Sequence, residues 1–389
     1  MHTIRLPFTI LKYIGIWKPN SWKSTWKGYQ YDCWSLAVMM IMYSFVATEL
    51  IAVVKLISDH YDEISDTLFL LLTTAGVSIK SMNFLANRDN MAHLGDMLLK
   101  SCCIPKNLNE LKIQKKFDDV NRFVTLMCIT MVYGNIMTMM TIPLLQSKEH
   151  RNLPFKTWLP YDTRSNSLNY WLSYLHQGLG LACCGTMGVM IVNIITGFMQ
   201  QACAQFEILD SRWRNLPKIV EIARSRWSDS AADEHENIML SQYIRHHIHV
   251  YEYMNEFVKT FNIIILVQFC VSSVVITISV YQMSIKSLGL EWFMVFGYAV
   301  SMLTEFFLYC WFGNEVTLKS MDFALKIYDT EWNLLNIKSW KLILFVTHRT
   351  RKPIVVRCYN YIVLSLDTYV NIIRLSYSAF NLIRSSAGT

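Results

Sequence analysis

Seven apolar runs, each long enough to cross a bilayer, divide this chain and set its fold class before any motif is considered. They are Cys33 to Ile57, Asp66 to Ala86, Phe123 to Leu145, Leu168 to about Val192, Thr260 to Ile285, Trp292 to Gly313 and Tyr361 to Arg384. A hydrocarbon core of about 30 Å needs roughly 20 helical residues. Backbone polar groups in lipid must bond within their own segment or around a closed barrel, so runs of this length read as helices. Apolar residues make up 53% of the 389 and mean hydropathy is +0.25, values that exclude an ordinary soluble domain.

Orientation follows from the basic residues. The segment before Cys33 holds five Lys and Arg, and the loops after the second span, after the fourth span and before the last span hold seven, seven and eight. The alternate loops hold none, four and one, and the C-terminal tail none. The positive-inside tendency then places the N-terminus in the cytoplasm and, after seven crossings, the C-terminus outside. The net charge of +7 is spread over four separate segments, so it reports topology and gives no argument for nucleic-acid binding.

The last run carries a second pattern. Read as a helix, it places Asp367, Asn371, Arg374, Ser378, Asn381 and Ser385 within about 40° of one line, with Ile372, Ile373, Ala379, Phe380 and Ile383 opposite. Polar and ionisable groups at membrane depth face a bundle interior or water, so this helix is a candidate wall of an ion path. A closed bundle with interhelical hydrogen bonds, or an Asp367–Arg374 pair, is the plainer alternative.

The remaining segments divide as residues 1–32, an N-terminal amphipathic helix; 33–313, six spans with their extensions; 314–360, anchor helices; and 361–389, the last span and a short tail. Phe8, Leu11, Ile14 and Trp17 fall at helical spacing and predict an interfacial helix ended by Pro19-Asn20. The fourth segment is uncharged to Phe206 and should project beyond the membrane. Ile244, Ile248, Tyr251 and Phe257 predict the same for the fifth, with a polar mobile loop from Ser228 to Asn237 between them. Val316, Met321, Leu325, Tyr328 and Trp332 predict a partly buried helix, and Leu334 to Val346 a short second one, with a break at Pro353. Such extensions form a cytoplasmic helical anchor bundle, suited to a symmetric assembly around a central axis.

Chemistry-bearing clusters are few. None of the ten cysteines falls in an outside loop, so structural disulfides are not expected. Arg245-His246-His247-Ile248-His249 with Glu252 invites a metal reading, but the geometry is loose and no H-E-x-x-H pattern is present; structural or solvated histidines are expected, and no metal or cofactor. Glu49 and Glu305 stand inside apolar runs and are read as structural rather than as parts of an ion or proton pathway. No phosphate loop, G-x-S-x-G or paired C-x-x-C occurs, so no enzyme is indicated. A G-protein-coupled receptor, signalling through a cytoplasmic partner without its own pore, is the alternative with seven spans. The charge count opposes its orientation, and the outside loops lack the cysteine of its usual bridge.

Over nearly its full length the chain resembles the insect odorant receptor family. The resemblance rests on Leu11-Lys12-Tyr13-Ile14-Gly15-Ile16-Trp17-Lys18-Pro19, on Leu153 to Asp162 (LPFKTWLPYD) with Tyr174-Leu175-His176-Gln177, and above all on the C-terminal third. There the matching motifs are Tyr309 to Glu315 (YCWFGNE), Ile327-Tyr328-Asp329, Trp332, Lys352-Pro353, Ser365 to Tyr369 (SLDTY) and Ser376 to Ser385 (SYSAFNLIRS).

The resemblance implies an all-α, seven-transmembrane subunit of a tetrameric, odorant-gated, non-selective cation channel in the plasma membrane of olfactory sensory neuron dendrites. It favours a ligand-tuning subunit partnered by the shared co-receptor, Orco, in a heterotetramer. The ligand is a small volatile hydrophobic molecule, and the pocket is expected at Thr73, Thr74, Val77, Tyr133, Met137, Gly180, Cys183, Phe293 and Phe296. The pore wall is expected at the striped residues together with Leu382 at a hydrophobic gate and Ser386 at a second gate position, where the co-receptor carries an apolar residue. Trp311, Tyr328 and Trp332 are the expected subunit-anchor residues.

Overall fold

The computed structural model describes residues 4–19, 22, 25–59, 64–146, 153–161, 166–359 and 361–387. Among these the chain forms ten α-helices: α1 (Arg5–Ile14), α2 (Trp26–Asp59), α3 (Ile64–Ala86), α4 (Arg88–Met97), α5 (Leu108–Gln146), α6 (Ser167–Arg226), α7 (Asp229–Ile285), α8 (Leu290–Tyr328), α9 (Ile337–Thr350) and α10 (Leu366–Ala387). A 3₁₀ turn at Trp332–Leu334 and one antiparallel two-residue pair, β1 (Arg357–Cys358) with β2 (Ile362–Val363), join the last three helices. The final span therefore starts at Leu366 and not at Tyr361, because Ile362 and Val363 are engaged in the strand pair.

Six helices, α2, α3 and α5 to α8, are long and apolar enough to cross a membrane. The seventh, α10, has 22 residues but lower hydropathy, since Asn371, Arg374, Asn381 and Arg384 interrupt its apolar positions. It nevertheless lies beside the apolar parts of its neighbours. Ser376 donates to the Ser273 carbonyl of α7 at 3.4 Å, and Tyr369 packs on Phe306 and Phe307 of α8 at 5.5 and 5.4 Å between ring centroids.

The long central helix α6 organises the bundle. From Thr186 to Phe206 every residue is buried, and the polar ones other than Gln200 find partners: Thr125 donates to Asn193 Oδ1 at 3.2 Å, and Gln201 accepts from Gln114 and donates to Asp118. At one end of the bundle Phe45, Phe69, Leu70, Ile136, Leu181, Tyr298 and Met302 form a core under the Leu153–Tyr161 loop. At the other end α6, α7 and α8 run on together, around Trp213, Leu216, Leu240, Tyr243 and Phe323. These are called the loop end and the extension end.

Three segments differ from the sequence reading. The helix α1 stops at Ile14, where Gly15 takes φ +95°, a left-handed cap that L side chains resist. Its apolar face does not lie free for an interface: Leu11 and Phe8 are buried, and Phe8 meets Phe198 of α6 at 6.3 Å. The stretch Ser228 to Asn237 is no loop, because α7 starts at Asp229 and Ala232, Glu236, Leu240 and Tyr243 form its inner face. Glu236 made this stretch look solvated, yet it is fully buried, bonded to Arg224 at 3.1 Å and to the Asn336 N–H at 2.9 Å. Finally, α4 is a separate helix held by buried Met91, Leu94 and Met97, within a segment read only as a basic loop.

Candidate functional site

Between α3, α5, α6, α7 and α8 lies a cavity, the kind of interhelical space in which small molecules bind. Its wall is largely apolar, from Leu70, Val77, Val132, Ile136, Met139, Leu181, Val271 and Met302. Against this wall stand Thr73, Thr74, Asn135, Tyr298 and Ser301, and at one side Lys80, Gln268 and Glu305.

Most of the polar groups are already engaged. Thr73 is hydrogen-bonded to the Tyr298 hydroxyl, and Thr74 donates to Glu49 Oε2 at 2.6 Å. Asn135 donates to Ser301 Oγ at 2.5 Å and to the Gly297 carbonyl at 3.2 Å. Gln268 has both amide hydrogens in use: its oxygen accepts from Lys80 at 2.6 Å, and its amide donates to Ser272 at 2.9 Å and to Glu305 at 3.3 Å.

A second space adjoins the first on the loop side, sharing Leu70 and Met139 and bounded by Leu153, Pro154, Phe155 and Lys156. The loop is pinned over it. Gln177 Oε1 accepts from the Phe155 N–H at 3.2 Å, while its amide donates to the Phe155 carbonyl at 3.0 Å and to Thr157 at 2.7 Å. The Trp158 N–H is also tied to the Thr48 carbonyl at 3.1 Å. The two spaces form a vestibule and an inner chamber.

Of the nine candidate ligand residues, Thr73, Thr74 and Val77 line the chamber, and Tyr133, Met137, Gly180, Cys183, Phe293 and Phe296 do not. The reason is helical phase. On α5 the chamber stripe is Val132, Asn135, Ile136 and Met139, and a shift of one residue rotates a side chain by about 100°. Tyr133 and Met137 are accordingly exposed. On α6 the inward residues are Leu181, Cys184, Gly185 and Gly188, whereas Gly180 permits close packing on α2: a Cβ there would meet Phe45 at 2.6 Å. Phe293 and Phe296 precede Tyr298 on α8 by more than a turn and by about half a turn, both exposed, with Phe296 stacked on Trp292. Sequence reasoning missed Lys80, Asn135, Gln268, Tyr298 and Ser301, and assigned Glu305 no contact with ligand. The available signal was a basic and an acidic residue, Lys80 and Glu305, each inside an apolar run.

The striped helix α10 packs through Tyr369, Ile372, Ser376 and Phe380 and leaves Asp367, Asn371, Arg374, Ser378, Asn381 and Leu382 exposed. Among the described residues no ion pair joins Asp367 to Arg374. Ser385 and Ser386 belong to α10, but their side chains lie outside the described residues, as does that of Trp332. Trp311 and Tyr328 are exposed on α8, where Trp311, Leu318 and Leu325 repeat every seven residues beside Met321 and Tyr328. This heptad seam is of the kind that packs against another helix.

At the extension end the histidines have separate structural surroundings. Arg212 donates to His246 Nδ1 at 3.2 Å, so Nε2 carries the proton and donates to Gln205 at 2.9 Å. Burial first, and the Arg212 charge second, lower the His246 pKa to about 3. His247 stacks on Phe323 at 5.3 Å, and burial with Arg349 lowers it to about 4. His249 is bonded to the Met97 carbonyl at 2.9 Å. Ligand-type atoms of Cys102, Cys103 and His249 lie within 4.8 Å of one another. Burial raises the Cys103 thiol, which opposes the thiolate that metal binding needs.

Comparison with known proteins agrees with this architecture. The family described as 7tm Odorant receptor matches residues 60–377. Odorant receptor 46a, isoform A, of Drosophila melanogaster is 24% identical over 355 residues, covering 89% of this chain and 89% of that receptor. Odorant receptor Or1 of Anopheles gambiae is 22% identical over 403 aligned positions, covering 98% and 94% of the two chains. The solved structure of the insect olfactory receptor OR5 from Machilis hrabei superimposes with a TM-score of 0.81 at 13% identity, covering 98% of this chain and 97% of that one. The same receptor in complex with eugenol gives 0.82. With most of its length matched by the family and its seven-helix fold shared with a solved member, the chain belongs to the insect odorant receptor family.

Proposed function

We propose that this chain is the odorant-binding subunit of a ligand-gated, non-selective cation channel, assembled as a tetramer with the shared co-receptor in the plasma membrane of olfactory sensory neuron dendrites. The observation that carries the reading is α10. It lies at the depth of the spans, buries one side on α7 and α8, and leaves its polar stripe open to the exterior of the subunit. Such a face is costly against lipid and becomes favourable when several subunits close around water and ions.

In this reading the extension end is cytoplasmic and the C-terminus extracellular, as the distribution of Lys and Arg supports. The α8 seam, with Trp311 and Tyr328, and the anchor helix α9 meet neighbouring subunits. Odorants enter through the vestibule and occupy the chamber, where dispersion and shape dominate recognition. A ligand opens the pore only by favouring the open arrangement, typically by about 1–3 kcal/mol. The route for that coupling is short. Tyr298, Met302 and Glu305 face the chamber, and Phe306 and Phe307 follow them directly on α8 to touch Tyr369 of the pore helix.

The test is expression with and without the co-receptor, recording current against an odorant panel. Odorant-evoked cation current that requires this chain is expected. A chain that reaches the surface with its partner and gives no odorant-dependent current overturns the proposal. An epitope tag after Thr389 checks orientation separately: it should be stained in intact cells, and staining only after permeabilisation would reverse the topology.

A further inference from the structure

We infer that the chamber selects ligands bearing a terminal hydroxyl, an alcohol or phenol on an apolar body, and that Lys80 and Glu305 are the residues that read it. The inference rests on the odorant-binding reading above and names the ligand class of that same cavity. Its basis is the hydrogen-bonding capacity left open on the chamber wall. Thr73 is bonded to Tyr298, Thr74 to Glu49, and the Asn135 amide nitrogen to Ser301 and Gly297, which leaves Asn135 an acceptor but no donor for a ligand. Gln268 has its oxygen and both amide hydrogens in use.

Lys80 and Glu305 differ from these groups. Each is at least nine-tenths buried, and each lines the chamber. The Lys80 ammonium has three hydrogens and gives one to Gln268; the Glu305 carboxylate takes one long bond from the same amide. Lys80 and Glu305 thus stand on the two sides of one amide, joined through it, with donors left over on one and acceptors on the other.

A buried charge with unfilled bonding capacity is costly, so a ligand group that fills both sides gains more than one that fills either alone. A hydroxyl does this, since its oxygen accepts from Lys80 while its hydrogen goes to Glu305. An ether or carbonyl oxygen only accepts and leaves Glu305 unchanged. A carboxylate meets Glu305 as a like charge and an amine meets Lys80 as one, so both are disfavoured at a pair that is neutral as a whole. The apolar body lies against Leu70, Val132, Ile136, Met139 and Met302.

The experiment compares a series of primary alcohols of about four to ten carbons with their methyl ethers, matched carboxylic acids and primary amines. Binding to the purified receptor in lipid nanodiscs is read by intrinsic tryptophan fluorescence, and current is recorded in cells carrying the co-receptor. The native chain should bind the best alcohol at least about tenfold more tightly than its ether, acid or amine. The double variant Lys80→Met/Glu305→Gln removes both charges together, so neither is stranded, and should reduce the alcohol-to-ether ratio to within about threefold. Met302→Ala should shift the preferred chain length and leave that ratio unchanged. No preference for the alcohol, a tighter acid or amine, or a preference that survives in the double variant would overturn the inference. An alcohol preference in nanodiscs with no evoked current supports the ligand class and counts against the channel reading instead.

Discussion

Two helices, α6 and α10, treat their polar residues in opposite ways. In α6 the polar positions from Thr186 to Phe206 are buried and largely bonded within the chain, as Asn193 is to Thr125 and Gln205 to His246. In α10 the polar positions Asp367, Asn371, Arg374, Ser378 and Asn381 point away from the subunit. A polar residue in a complete bundle stabilises the fold of one chain. The same residue type on an open face acts only when other chains and water complete the surroundings. Substitutions in α6 should therefore register in the stability of the isolated subunit, and those in α10 in the behaviour of the assembly.

The largest expected loss is at the extension of α6. Arg212 and Glu110 are buried together at 2.8 Å, and Arg212 also donates to the carbonyls of Cys102 and Ile104. Arg212→Ala strands the Glu110 carboxylate and should cost about 3–5 kcal/mol, seen as a lower unfolding midpoint of the detergent-solubilised subunit. The double variant Arg212→Met/Glu110→Met should recover part of that loss, because no charge is left unpaired although the Cys102 and Ile104 carbonyls still lose their donor. A single variant as stable as the native chain would mean that α6 is not the closed region described here.

Next in size is a pH effect beside the same helix. His246 and His247 have folded pKa values lowered to about 3 and 4 from 6.5, so as pH falls below 6.5 the unfolded chain takes up their protons first. Stability is therefore unaffected above that value and falls on acidification. At pH 5.5 the two together should cost roughly 2–3 kcal/mol relative to pH 7.5. Thermal unfolding across that range should show the slope, and His247→Phe should remove about half of it. Thr125→Val is smaller again, about 1–2 kcal/mol, since it leaves Asn193 Oδ1 without its donor in a dry core.

How much of this was legible in the sequence depends on whether a residue's role is local. The stripe of α10 follows from spacing alone, and so do the membrane runs, since length and periodicity are properties of one segment. Helical phase around the chamber is not local. Tyr133 and Val132 are equally plausible from sequence, and only the packing of α5 against α6 and α8 turns Val132 inward. Gly180 looked like a place for ligand and instead admits Phe45. Glu236 shows the same difficulty in reverse: a carboxylate paired across 12 residues with Arg224 and across 100 with Asn336 looks, in one dimension, like solvated loop.

The smallest effect on stability is the most informative about α10. Asn371→Ala, Ser378→Ala and Asn381→Ala should each change the stability of the isolated subunit by no more than about 0.5 kcal/mol, the usual range for exposed positions. In the assembled channel the same positions should not be silent. Cysteines placed at Asn371, Ser378 and Asn381 should react with a water-soluble thiol reagent and alter current, whereas a cysteine at Asn193 should remain protected. Substitutions at Asn381 or Leu382 should change ion selectivity or resting leak with odorant potency intact; Tyr298→Phe should do the reverse. If the α10 cysteines proved as protected as Asn193 in both resting and activated channels, the stripe would be filled by protein rather than water. The contrast between α6 and α10 would then be one between contacts inside a subunit and contacts across subunits, and the conducting path would have to lie elsewhere.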